Sequence, residues 1–194
     1  MKEKLKSMYA DSSIDSSRLL KAVQRRWISM EDVVEIVGEE NSADVIRTAK
    51  LAEISAACNA VITAGIDLEL AEGPVHFNLS IEDQTNIANL FRVVELGGTE
   101  FPYQADGGVC RVYSAAEIAQ IYIAAQTLIT TQTTYHNTLK EYVLSLSSLD
   151  KISAVTYGMK LPKKYETTMN TKLAVAQAQM DAIIAKLGGQ NDQA

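Results

Sequence analysis

Two histidines and two cysteines are the residues of this chain best suited to catalysis or metal binding, and their spacing serves neither. His76 sits in a run where Val75, Phe77 and Leu79 alternate with His76 and Asn78, an outward strand position with Glu69 and Glu72 nearby in sequence. His136 belongs to a long helical pattern. Neither has the i, i+4 histidine pair or neighbouring cysteines of a zinc site. Cys58 and Cys110 lie far apart, match no redox spacing, and are expected to be reduced, small apolar core residues. Asp106-Gly107-Gly108 offers one carboxylate where calcium takes about six to eight oxygens, so its glycines are read as turn residues. No serine or threonine occupies a nucleophile elbow, and there is no Gly-rich phosphate cradle. The expectation is a non-enzymatic protein with no catalytic residue, metal or cofactor. An enzyme whose groups converge from distant positions is the weakest alternative.

The elements that would carry these residues are mostly helical. A length of 194 residues with 47% apolar and 22% charged residues suits a globular chain with a buried core. A net charge of −6 disfavours nucleic acid as a partner, because it repels phosphate backbones. No run approaches the roughly 20 apolar residues of a membrane span, and no secretory leader is evident, so cytoplasmic synthesis and no membrane insertion are expected.

The most organised stretch is Ser114 to Leu146. Ile118, Ala125, Gln132, Leu139 and Leu146 occupy one heptad position, and Ile121, Leu128, Tyr135 and Tyr142 the next seam position. Tyr122, Ile129, His136 and Val143 widen the stripe beyond a two-stranded coiled coil, which favours a bundle. Ser114 and Glu117 form a capping box at its start. Gln132 serves either to fix register or oligomer state, or as an amide bonded within its own bundle. A last helix repeats the seam with Met169, Leu173, Ala176, Met180, Ile183 and Leu187, and Gly188-Gly189 is expected to stop it.

Shorter signals fill the rest. Leu19, Leu20 and Val23 begin a helical hairpin that turns at Trp27 and Ile28 and continues, capped by Ser29, to Gly38. Trp27 is expected to pack in the core, with an exposed interface anchor as the alternative. The acidic second helix argues against a DNA reader. Glu39 to Ser42 reads as a polar break before a helix from Ala43 to Ala64. Leu68 and Leu70, then Val75 to Leu79, make one strand hairpin. Phe101 to Gln104 and Val109 to Tyr113 make another, separated from the first by a helix that Ser80 and Asp83 cap. A shorter helix is expected around Ile152 to Tyr157. The fold class is therefore mainly α, a helical bundle with long helices and one or two small β-hairpins, preceded by a small helical hairpin. The expected domains are 1–42, 43–162 and 163–194.

Two stretches resemble known phage proteins. Residues 19–38, LLKAVQRRWISMEDVVEIVG, resemble the short XkdX-like proteins of phage tails. Residues 50–162 resemble a domain of undetermined function in tail-fibre and tail-fibre-assembly proteins. The matching pieces are KLAEISAACNAVITAG (50–65), LSIEDQTNIANL (79–90), YQADGGVCRVYSAAEIAQI (103–121), TTYHNTLKEYV (133–143) and AVTYGMKLP (154–162). The resemblance implies a structural component of a phage tail or phage-tail-like particle, an adaptor at the tail fibre or baseplate, or alternatively a fibre-assembly chaperone. It implies other tail, fibre or baseplate proteins as partners, several copies in threefold or sixfold arrangement, and a final location in the virion. It transfers no catalytic residue. The final helix lies beyond it and is the expected partner surface, through Met169, Leu173, Met180, Ile183 and Leu187, with Trp27 and Gln132 as further candidates.

Overall fold

Three capping boxes start helices at the serines that the sequence marks for that role. The side chains of Ser29, Ser80 and Ser114 each accept the backbone N–H three residues on, while Asp32, Asp83 and Glu117 accept the N–H of the capping serine. The computed structural model of the chain describes residues 1–191, including all side chains except those of Asn41 and residues 187–191. In order the elements are α1 (Lys2–Ala10), α2 (Ser16–Gln24), α3 (Met30–Val37), α4 (Glu39–Thr63), β1 (Ile66–Leu70) and β2 (Gly73–Phe77). They continue with α5 (Ile81–Glu95), β3 (Glu100–Gln104), β4 (Cys110–Ser114), α6 (Ala115–Ser145), α7 (Leu149–Ser153) and α8 (Lys163–Asn191). The fold is mainly α with two small antiparallel hairpins. Its contacts divide it into two compact units, one of residues 1–58 with 136–166, the other of residues 59–135 with the chain from Thr167 onward.

In the first unit, α1, α2 and α3 gather Leu5, Leu19, Leu20, Ala22 and Val33 into a core. The α2 helix ends in a Schellman turn: the Arg26 N–H reaches the Val23 carbonyl at 2.8 Å and the Trp27 N–H reaches Ala22 at 2.9 Å. Arg26 itself adopts the left-handed conformation at φ 58°, where glycine is the usual occupant. The turn buries Ile28 and leaves Trp27 49% exposed, so the expectation of a core tryptophan is overturned. The polar break expected at Glu39 to Ser42 is also absent. Gly38, at φ 87°, redirects the chain within one residue, and α4 begins directly at Glu39. Glu39 and Glu40 suit a helix N-terminus electrostatically, and the Ser42 hydroxyl donates back to the Glu39 carbonyl at 2.9 Å. Farther along α4, Lys50 is fully buried and donates to Glu53 at 3.0 Å, while Gln24 donates to the other Glu53 oxygen at 3.1 Å. The expected helix around Ile152 to Tyr157 is the shorter α7, with Ile152 buried.

The second unit contains both hairpins. Ile66 pairs with Phe77 and Leu70 with Gly73 in the first, Glu100 with Ser114 and Gln104 with Cys110 in the second. Phe77 joins them, stacking on Tyr103 at 6.3 Å and meeting Tyr113 edge-on at 6.0 Å. The Asp106 N–H also donates to the His76 carbonyl at 3.1 Å. Close approach makes Gly65 necessary, because a Cβ there would sit 2.2 Å from the Phe77 carbonyl oxygen. The α5 helix meets α6 through the stacked rings of Phe91 and Tyr122, 4.0 Å apart. Cys110 is exposed, whereas Cys58 is buried. In β4 the period-2 alternation turns Tyr113 inward and Cys110 outward, so only Cys58 is the core cysteine expected of both.

Candidate functional site

The seam of α8 is where apolar spacing and exposure disagree most. Met169, Leu173, Ala176, Met180 and Ile183 recur at three- and four-residue steps and are each partly covered, while the residues between them are exposed. From Lys163 to Lys186 no α8 residue is fully buried. Only Lys172, Asp181 and Lys186 carry charge between Met169 and Lys186, and Val175 and Ile184 stand 59% and 46% exposed beside the seam. The helix does not stop at Gly188-Gly189, as the sequence leads one to expect, but runs to Asn191. The Leu187 side chain lies outside the described residues.

The middle of α6 is similarly open. Ile118, Ala119, Ile121 and Ala125 are buried near its start, and Thr138, Leu139 and Val143 near its end, yet no residue from 126 to 137 is. Within the second unit, Thr127, Thr130 and Thr131 of α6 and Leu173, Ala176 and Met180 of α8 line an open groove of about 400 Å³. The threonine hydroxyls are partly occupied by the helix itself. Thr127 donates to the Ile123 carbonyl at 2.8 Å, and Thr133 to that of Ile129 at 2.7 Å. The helix is continuous through these threonines. Gln132 lies half-buried on this stretch, outside the groove lining. Trp27, the remaining candidate, lies in the other unit and borders a separate groove.

The histidines make different contacts. The His76 Nδ1 lies 2.8 Å from Asp67 Oδ1, and Nε2 lies 3.3 Å from the Asn78 amide oxygen. The hydrogen bond to Asp67 raises the imidazole above its ordinary value, against an opposing effect of burial. His136 is half-buried on α6, and desolvation, helped by Lys140, lowers its pKa. Among the described residues no group of three or more His, Cys, Asp or Glu could hold a metal ion. Among them, too, no helix is long and apolar enough to cross a membrane.

The structure thus brings Leu173 and Met180 together with a wall of threonines, Thr127, Thr130 and Thr131. Their common three- and four-residue spacing was the available signal. Buried Lys50 was also missed, since a lysine beside the apolar face of α4 reads as solvated until Glu53 and Gln24 are seen around it.

A mainly α chain with two hairpins and a half-covered terminal helix seam is the class of protein these features define. Residues 45–157, more than half of the chain, match the family described as "Domain of unknown function (DUF4376)", and the chain belongs to it. The matched residues end before α8 begins. No curated protein and no solved structure matches the chain.

Proposed function

We propose that this chain is a non-enzymatic structural component of a phage tail or phage-tail-like particle, an adaptor that helps attach tail fibres at the fibre or baseplate. The observation that carries the reading is the α8 seam, an apolar heptad row with every described member still partly accessible. A helix of this kind gains most of its stability by laying that row against another helix. The resemblance of residues 19–38 and 50–162 to phage tail proteins supports the location, and the sparse charge between Met169 and Ile183, where only Lys172 and Asp181 are charged, supports close approach of a neighbour. Several copies, in threefold or sixfold arrangement, would meet their neighbours through Met169, Leu173, Met180 and Ile183.

Mass spectrometry of intact, purified particles tests the proposal. Stoichiometric recovery of the chain, in multiples of three, is the expected result. Its absence from particles that retain neighbouring tail proteins would overturn the adaptor reading. An assembly chaperone would use the same open seam but leave the finished particle. Deleting the gene separates the two: a soluble fibre that fails to attach is expected of the adaptor, and loss of soluble fibre is expected of the chaperone.

A further inference from the structure

The charge of this protein is unevenly distributed. Residues 1–27 hold seven Lys and Arg against three Asp and Glu, leaving 11 against 21 of the chain's 18 and 24 for everything that follows. Within this basic segment, α1, α2 and the turn after α2 enclose a groove of about 580 Å³. Its apolar part is made by the buried Leu5 and Ala22 and the half-buried Met8 and Ile14, with the exposed Trp27 at its border. Its rim is cationic, made by the exposed Lys4, Arg18, Lys21 and Arg25, and among the described residues no carboxylate lines it.

The local structure explains why these cations remain available. Lys2 and Lys6, one turn apart on α1, are taken by α3: Lys2 pairs with Asp32 at 2.9 Å and also with Glu35, which Lys6 reaches at 3.2 Å. Lys4 lies between them in sequence and lines the groove instead. Among the described residues, none of the four rim cations forms an ion pair with a carboxylate. Trp27 is held in place at the groove by the Schellman turn, and the Arg25 guanidinium lies 5.0 Å from its ring centroid. The turn fixes the Trp27 backbone, and a tryptophan side chain has only two rotatable bonds to order when it is covered, which favours it as a binding anchor.

We infer that this groove binds an acidic, amphipathic helical segment of a partner protein, whose apolar side chains meet the apolar part while its carboxylates meet Lys4, Arg18, Lys21 and Arg25. Charge complementarity selects the occupant. A concave apolar groove receives projecting side chains, as in helix-in-groove recognition, whereas a bilayer surface calls for a projecting apolar face. Nucleic acid would meet cations at the rim but, in Leu5, Met8, Ile14 and Ala22, no donors for base edges. The inference goes beyond the adaptor role and does not depend on it.

The chain's single tryptophan reports directly on occupancy. The test titrates the full chain with a designed helical peptide bearing leucines on one face and glutamates on the other, and with the same peptide carrying lysines for glutamates. Saturable binding of the glutamate peptide is expected, with a blue shift of Trp27 emission, loss of affinity as salt is raised, and no binding of the lysine peptide. The Lys4→Glu, Lys21→Glu double variant alters two exposed side chains and, with unchanged circular dichroism, is expected to bind about tenfold more weakly. Trp27→Ala, followed by the anisotropy of a labelled peptide, is expected to weaken binding as well. Equal binding of both peptides, no effect of the charge reversals, or an unchanged Trp27 spectrum at saturation would overturn the inference. A Trp27 response to phosphatidylglycerol vesicles or a single-stranded oligonucleotide, with none to the glutamate peptide, would overturn it in favour of a membrane or nucleic-acid surface.

Discussion

The first turns of α6 and its middle carry the same heptad but different degrees of closure. Ile118, Ile121 and Ala125 are buried, whereas Leu128, Gln132 and Tyr135, the next residues in the same rows, are only partly covered. The seam of α8 behaves like the open stretch, from Met169 to Ile183. Periodicity reports which residues share a face. Whether that face is filled depends on what the rest of the fold brings to it: at the start of α6, the ring of Phe91 on Tyr122 and the neighbouring hairpins; at its middle, a groove.

The contrast is sharpest in the cost of removing a side chain. Ile121→Ala should destabilise the chain by about 2–5 kcal/mol in urea denaturation, the usual cost of truncating a filled core position. Met180→Ala should cost less than about 1 kcal/mol in the dissociated chain, because its side chain is already partly solvated. Equal losses would remove the distinction between the two regions. Arg26→Gly should act in the opposite direction, relieving a left-handed residue outside either seam and raising the thermal midpoint by the equivalent of roughly 1 kcal/mol, with association unchanged. Ser114→Ala removes the cap at the packed start of α6 and should cost about 1 kcal/mol by thermal circular dichroism, again without affecting association.

The smallest effect is the pH dependence that His76 contributes in the first hairpin. Asp67 raises the His76 pKa in the folded chain, so their pairing stabilises fully below the unfolded value of about 6.5 and is lost as pH rises through the higher folded value. The pair is exposed enough for solvent to screen much of it. Asp67→Asn should remove this shallow decline from the stability profile while leaving the behaviour of the α8 seam unchanged.

Much of this architecture was legible in the sequence because it rests on local chemistry. The Ser-x-x-Asp and Ser-x-x-Glu boxes mark three helix starts, and alternation around Leu68 and Phe77 marks a hairpin. The seam from Met169 to Ile183 was legible as a row, though its accessibility was not. The misreadings share a physical cause. Trp27 was placed inside because the turn that exposes it uses Arg26 where glycine would have announced it. Glu39 to Ser42 read as a break because Gly38 alone makes the reversal. Burial of Lys50 and exposure of Cys110 depend on neighbours and on strand facing, which composition does not convey.

The central claim is that the α8 seam is a surface for another helix and not part of the chain's own core. Sedimentation velocity of the full chain and of its Met180→Glu, Ile183→Glu variant, with thermal circular dichroism on both, tests it directly. The parent chain is expected to associate, and the variant to be monomeric with the same helix content and melting behaviour. A variant that unfolds would show that the seam is core, and one that associates as the parent does would show that the seam is not the interface.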